Sequence, residues 1–370
     1  MLVAAALAAF AVGILAGARS GGEEEPRRVR EAAQPPTAAP APAPVDRLTL
    51  RQQVGQLILM RFAGTAAPDH VREVLRERRA AGVILFRDNV ATPAQLRALT
   101  RRLRRAGGRR VIVALDQEGG EIRIVPWAPP ATAAPAQAAA GTVAADARAA
   151  GRSLRRLGVT LSLAPVGDVP SVAAAALAGR AFATQTGRAS EAVAAAVAGW
   201  RAGGIAATAK HFPGLGGATV NTDDGPATIA RSRAELEAAD LPPFAAAIGA
   251  GVPLVMVGHA FYPALDRARI ASQSRAILGP LLRDRLGFRG VVVTDSMEAR
   301  ASLATGSITE VSERAVRAGA DLVLLTGQGS YAPVYGRLLA LARRSPAFRA
   351  RVREAAARVL ALKRRGAGAP

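Results

Sequence analysis

The segment Lys210-His211-Phe212-Pro213-Gly214 places two strongly hydrogen-bonding basic side chains at the end of an apolar run, Ile205 to Ala209. Residue usage marks the segment as chemical. Among 49 Lys plus Arg, lysine occurs only at 210 and 363, and histidine only at 70, 211 and 259. A chain that writes Arg for nearly every cation keeps Lys here, where a compact ammonium and a planar guanidinium fork are not interchangeable. Other polar residues gather at the ends of further apolar runs: Arg87 and Asn89, Asp116 and Glu118, Asp168, His259, Asp295 and Gln328. Any one of them could be a loop residue or a helix cap. Together they form a candidate site.

Eight short apolar runs must position these residues. They are Leu57 to Phe62, Gly82 to Phe86, Val111 to Leu115, Leu161 to Pro165, Ile205 to Ala209, Leu254 to Gly258, Val291 to Thr294 and Leu322 to Leu325. Continuous rather than alternating runs fit strands covered on both faces, and helical patterns between them imply parallel crossovers. Thr92-Pro93 ahead of Ala94 to Arg105 offers an N-cap and an N1 proline, and Ser232 with Glu235 makes a capping box. Eight such units over residues 47–365 predict an α/β fold of the (β/α)8 TIM-barrel type in a single catalytic domain. A doubly wound open sheet is the alternative, disfavoured because no glycine-rich fingerprint follows the first strand. In a barrel, catalytic groups sit at the C-terminal strand ends, where the polar residues collect.

Composition narrows the function classes. The formal net charge is +21, but the arginines are scattered over predicted helix faces such as Arg72, Arg76, Arg78 and Arg79, and no nucleic-acid module is present. No nucleic-acid partner is expected. A basic surface could instead hold the protein near an anionic envelope. Cysteine is absent, which removes disulfides, thiolate metal sites and lipoprotein attachment. No His/Asp cluster has metal-ligand spacing and no phosphate-cradling loop appears, so neither metal nor organic cofactor is expected. The apolar run Leu2 to Ala18 ends in Ala16-Gly17-Ala18, an A-x-A pattern. It reads as a signal peptide or, uncleaved, as a membrane anchor, and predicts an exported protein, secreted or attached to the membrane through residues 2–18. Residues 19–46 read as a disordered Ala/Pro-rich linker.

Six ordered motifs then carry a resemblance. Asp116-Gln117-Glu118-Gly119-Gly120, Ala164-Pro165-Val166-Gly167-Asp168-Val169, Gly179-Arg180-Ala181-Phe182, Lys210-His211-Phe212-Pro213-Gly214, Tyr262-Pro263-Ala264-Leu265-Asp266 and the run Leu286 to Met297 resemble glycoside hydrolase family 3. The likeness is to its single-domain β-N-acetylglucosaminidases (β-N-acetylhexosaminidases) acting on peptidoglycan fragments, and it extends from about Leu48 to Leu362. The resemblance implies a retaining hydrolysis of terminal β-linked N-acetylhexosamine from cell-wall glycans or muropeptides by a chain acting as a monomer. Thr294-Asp295-Ser296-Met297 matches the nucleophile motif and makes Asp295 the expected nucleophile. Asp116, Arg180, Lys210 and His211 match positions that grip the sugar hydroxyls.

The pattern breaks in two places. After the Lys-His-Phe-Pro-Gly run, the family's N-acetylglucosaminidases carry His-Gly-Asp and then an Asp-Ser-His triplet that supplies the acid/base dyad. Here Leu215-Gly216-Gly217 and Asn221-Thr222-Asp223 stand in those places, without the histidine. Either Asp223, or its neighbour Asp224, takes over proton transfer on a mobile glycine-rich loop, its pKa raised by a dry or negatively charged site, or the chain is a noncatalytic or impaired glycan-binding envelope protein. Retention of Asp295 beside the binding cluster favours the first. The second departure is Ile124, where the family often has a substrate-holding arginine. Arg123 could compensate only through a shifted register.

Overall fold

The computed structural model describes residues 43–365. Eight strands form one parallel sheet: β1 (Ile58–Arg61), β2 (Gly82–Ile84), β3 (Ile112–Leu115), β6 (Leu161–Ser162), β7 (Thr208–Phe212), β8 (Leu254–Val257), β9 (Val291–Ser296) and β10 (Leu322–Leu325). The hydrogen-bonded order is β6-β3-β2-β1-β10-β9-β8-β7. Its two ends meet: Leu161 bridges Ala206 and Val166 bridges Lys210, with Ser162 N–H donating to Ala206 O at 2.9 Å and Lys210 N–H to Pro165 O at 3.1 Å. The sheet is therefore a (β/α)8 barrel, and the open-sheet alternative falls.

Alternation along each strand explains why the runs are apolar throughout. Leu59, Ile84, Ile112, Ala114, Leu161, Leu254, Met256, Val291, Val293, Leu322 and Leu324 share one inner cluster. Their neighbours Ile58, Met60, Val83, Val113, Val255, Val292 and Val323 belong to the larger cluster that includes the helices. Successive side chains point to opposite faces of a strand, so a strand with a filled interior and a helical cover needs apolar residues at every position. Each fully buried Val, Leu or Ile contributes about 1.5–3 kcal/mol. Val359 and Leu362 of the final helix, Pro346–Arg365, join the inner cluster, and Lys363 Nζ reaches Gln56 Oε1 at 2.6 Å.

Helix signals read from the sequence recur in the structure. Thr92 Oγ1 accepts from Gln95 N–H, Pro93 is the first residue of the helix Pro93–Gly107, and Ser232 with Glu235 closes a capping box. The high alanine and glycine content has a packing use. Helices Val143–Arg156 and Thr186–Gly203 cross so closely that a Cβ on Gly203 would stand 2.7 Å from the Gly151 Cα.

Two details depart from expectation. The fifth strand is shifted toward its C-terminus: it runs through Lys210, His211 and Phe212 rather than stopping at Ala209, because Phe212 pairs with Val257 across a bulge and Lys210 bridges Val166. The catalytic-face residues of this strand are thus part of the ladder. A small antiparallel hairpin, β4 (Gln117–Gly119) with β5 (Ile122–Arg123), also rises directly from β3. The apolar segment 1–18 and most of the linker 19–46 lie outside the described residues. Among the described residues no helix is long and apolar enough to cross a membrane.

Candidate active site

Strand ends β3, β7 and β9 and the loops between them converge on one cluster. Lys210 Nζ lies 2.6 Å from Asp116 Oδ1 and 2.5 Å from Glu118 Oε1. Arg180 clamps Glu118 with Nε to Oε2 and Nη2 to Oε1, both at 2.8 Å. Two carboxylates thus face two cations in a nearly closed space. Burial opposes ionisation of Glu118, yet Lys210 and Arg180 hold its carboxyl down at about 2. Burial likewise works against the Lys210 ammonium, but Asp116 and Glu118 outweigh it and raise its pKa above the ordinary lysine value. Arg180 is raised for the same reason, Glu118 overcoming burial. Glu118 is almost fully enclosed, while the Asp116 side chain keeps 20% of its surface open. Asp116 is therefore the carboxylate of this pair that can reach a ligand hydroxyl.

His211 is set by Asp168. The Asp168 Oδ2 atom accepts from His211 Nδ1 at 2.7 Å, and its Oδ1 accepts the backbone N–H of His211 at 3.2 Å and of Leu215 at 2.7 Å. A carboxylate offers only acceptors, so the ring proton sits on Nδ1. Nε2 is then turned toward Asp295 Oδ2, 4.0 Å away.

Asp295 stands at the end of β9, where its Oδ1 accepts the Ser296 N–H at 2.8 Å. Burial disfavours its charge, but His211, then His259 and the Ser296 N–H, reverse the balance and leave its pKa below the usual carboxylate value. The neighbouring His259 is sealed off. Its Nε2 donates to Ser296 O at 2.8 Å, its Nδ1 accepts from the Ser272 hydroxyl at 2.8 Å, and burial lowers its pKa. It braces the end of β9 and has no proton to offer a ligand.

Asp223 arrives from the loop after β7. Asp224 and Gly225 N–H both donate to Asn221 O, forming a turn that presents Asp223. The loop is fastened where the sequence suggested a swinging segment: Arg300 N–H donates to Asp223 O at 3.2 Å and Ala301 N–H to Thr222 O at 3.1 Å. Residues 300 and 301 follow closely on the β9 strand that carries Asp295, so both carboxylates hang from one support. Residue Asp223 keeps access to solvent, yet its carboxyl is enclosed enough that burial leads the rise of its pKa to about 6. Asp295 adds to that rise while His211 and Arg180 oppose it.

All six sequence-predicted residues, Asp116, Arg180, Lys210, His211, Asp223 and Asp295, are therefore brought to the same end of the barrel and interact directly or through their fields. Glu118 and Asp168 stand among the strand-end polar residues of the sequence, but neither is given a specific role there. Both stood in the quoted motifs, and the usable signal was that two buried cations need more than one carboxylate partner. The hairpin shifts register between Gln117, opposite Arg123, and Gly119, opposite Ile122, and Ile124 is buried with its N–H on Asp116 O at 3.1 Å.

Two carboxyl groups of opposite bias, Asp295 below its ordinary pKa and Asp223 raised to about 6, beside a buried ionic cluster are the equipment that acetal cleavage requires. The glycosyl hydrolase family 3 N-terminal domain matches residues 49–362. An uncharacterized secreted glycosyl hydrolase of Arthroderma benhamiae is 32% identical over 304 residues, covering 78% of this chain and 85% of that protein. A beta-hexosaminidase of Xanthomonas oryzae pv. oryzae is 34% identical over 286 residues, covering 73% and 83%. Among solved structures, the beta-N-acetylhexosaminidase of Beutenbergia cavernae superposes with a TM-score of 0.79 at 35% identity over 85% of this chain and 98% of that one. The family 3 beta-N-acetylglucosaminidase of a Paenibacillus species gives a TM-score of 0.80 at 32% identity over 87% of this chain, which spans 64% of that longer protein. The chain belongs to glycosyl hydrolase family 3 and is a glycoside hydrolase built on that family's N-terminal domain.

Proposed function

We propose that the protein is an exported β-N-acetylhexosaminidase that removes terminal β-linked N-acetylhexosamine from cell-wall glycans or muropeptides with retention of configuration. Asp295 attacks the anomeric carbon as a carboxylate while Asp223 gives its proton to the departing glycosidic oxygen. A covalent glycosyl ester forms on Asp295 and the alcohol leaves. Asp223, now ionised, takes a proton from water as that water attacks the ester, which restores both carboxyl groups. Asp116, Lys210, Arg180 and His211 hold the ring hydroxyls in place, work for which preorganised charged groups are suited.

The observation that carries the reading is the opposite bias of the two carboxyl groups, Asp295 pulled below and Asp223 pushed above the ordinary range. The substrate class is supported by the hexosaminidase relatives, and export by the apolar run Leu2 to Ala18 and the secreted relative. Purified protein should release the chromophore from an aryl β-N-acetylglucosaminide, and a 2-deoxy-2-fluoro or 5-fluoro glycosyl donor should leave a covalent adduct on the Asp295 peptide. Asp295→Asn should lower turnover by at least about a thousandfold. Adduct formation on another residue, or turnover retained in Asp295→Asn, overturns the assignment.

A further inference from the structure

The four large hydrophobic residues left exposed among the described residues are Trp127, Val172 and Val220, on loops, and Leu303, at the end of the short helix Arg300–Leu303; all stand in segments that follow barrel strands, at the end of the barrel that holds Asp295. None is on the opposite end of the barrel. Exposed apolar residues concentrated at one mouth mark a contact surface. The segments bearing three of them are joined edge to edge: Ser171 N–H donates to Gly216 O and Ala176 N–H to Ala218 O, while Ala301 N–H donates to Thr222 O.

Trp127 is the largest of the four and the most firmly founded. The buried Gln117, which stands between Asp116 and Glu118, lies with its Nε2 3.1 Å from Val125 O, 3.0 Å from Ala128 O and 3.1 Å from Pro129 O, and its Oε1 accepts Val125 N–H at 3.0 Å. A fully buried amide spends its whole hydrogen-bonding capacity on the turn that displays a 39%-exposed indole. That turn is tied to the same hairpin whose flanking carboxylates grip Lys210.

We propose that Trp127 is the platform for the sugar on the leaving-group side of the scissile bond, its indole face taking the C–H face of a β-linked pyranose. The proposal rests on the glycosidase reading above. The ionic cluster suits hydroxyls of the cleaved ring, whereas a ring beyond it meets the apolar rim, where a broad, rigid indole offers its C–H face a large apolar contact.

The test compares a β-1,4-linked N-acetylglucosamine disaccharide with β-N-acetylglucosaminyl fluoride, which has no second ring. Trp127→Ala should lower the ratio of kcat/KM for disaccharide over fluoride by about three- to tenfold, and Trp127→Phe should restore most of it. A ratio unchanged in Trp127→Ala overturns the platform, whereas a wild-type protein inert on both substrates sinks the glycosidase reading instead. An independent arm survives that failure. The chain has two tryptophans, and Trp200 is buried at 2% exposure, so acrylamide quenching reports Trp127. In an Asp295→Asn background the disaccharide should protect the fluorescence from acrylamide and lose that effect in Trp127→Phe; quenching indifferent to the disaccharide overturns the proposal.

Discussion

At the scale of single residues, the site separates two chemically identical groups by their surroundings. Asp295 has His211, His259 and a backbone N–H to favour its charge; Asp223 has burial and the charge of Asp295 against its own. In the roles proposed for them, Asp295 as nucleophile must be ionised and Asp223 as general acid protonated, so the pH dependence follows. Activity should fall as pH rises through about 6, where Asp223 loses its proton, and should persist on the acid side until Asp295 is protonated, below the ordinary carboxylate range. A pH profile of kcat/KM on a substrate with a poor leaving group should show the upper limb near 6, and Asp223→Ala should abolish that limb. The same variant should slow poor leaving groups by at least about a hundredfold while sparing activated aryl glycosides. Equal losses on both would remove Asp223 from proton transfer.

Elements matter here because the cluster is a joint between them. Glu118 on the hairpin, Arg180 on the loop after β6 and Lys210 on β7 meet through charges that have lost most of their water. The Glu118 pKa is depressed from 4.5 to about 2 in the folded chain. Its stabilising contribution is therefore complete above pH 4.5, the unfolded value, and drains away as pH falls toward 2; its size is on the order of 3 kcal/mol. Glu118→Gln should lower Tm at neutral pH, and the gap from wild type should close as pH is lowered through that window. A pH-independent gap would mean that packing rather than charge is lost. The turn after β7 makes a second case. Gly214 has φ +132°, and an added Cβ would stand 2.7 Å from the Asp240 Cβ. Its carbonyl accepts from the Tyr262 hydroxyl at 2.7 Å, so the turn cannot easily move aside. Gly214→Ala should cost roughly 1–3 kcal/mol of stability and, by shifting the His211 end of the strand, reduce kcat more than it raises KM.

For the molecule as a whole, the catalytic unit starts near Val45, which is buried, and Asp46, whose carboxylate receives Arg353 from the final helix at 2.7 and 2.8 Å. A chain beginning at residue 43 should therefore keep the Tm and kcat/KM of the full chain, whereas one beginning at residue 49 should melt lower; scanning calorimetry with the aryl glycoside assay decides both. The barrel itself was legible from the eight apolar runs, because a strand filled inside and covered outside leaves no position for a polar residue. Asp116, Lys210, His211 and Asp295 were legible because polar side chains at strand ends stand out against such a background, whereas Arg180 was legible only through the resemblance of its motif. The rest was settled by pairing across long separations. That Glu118 sits between Lys210 and Arg180, that Asp168 aims His211 at Asp295, and that the Asp223 loop is fastened beside β9 depend on residues between 43 and 92 positions apart and, for Asp223, on backbone groups at 300 and 301. Periodicity and composition report what one stretch of chain needs locally. The charge state of a carboxyl group depends on what the rest of the fold sets against it, and only closure of the barrel fixes that.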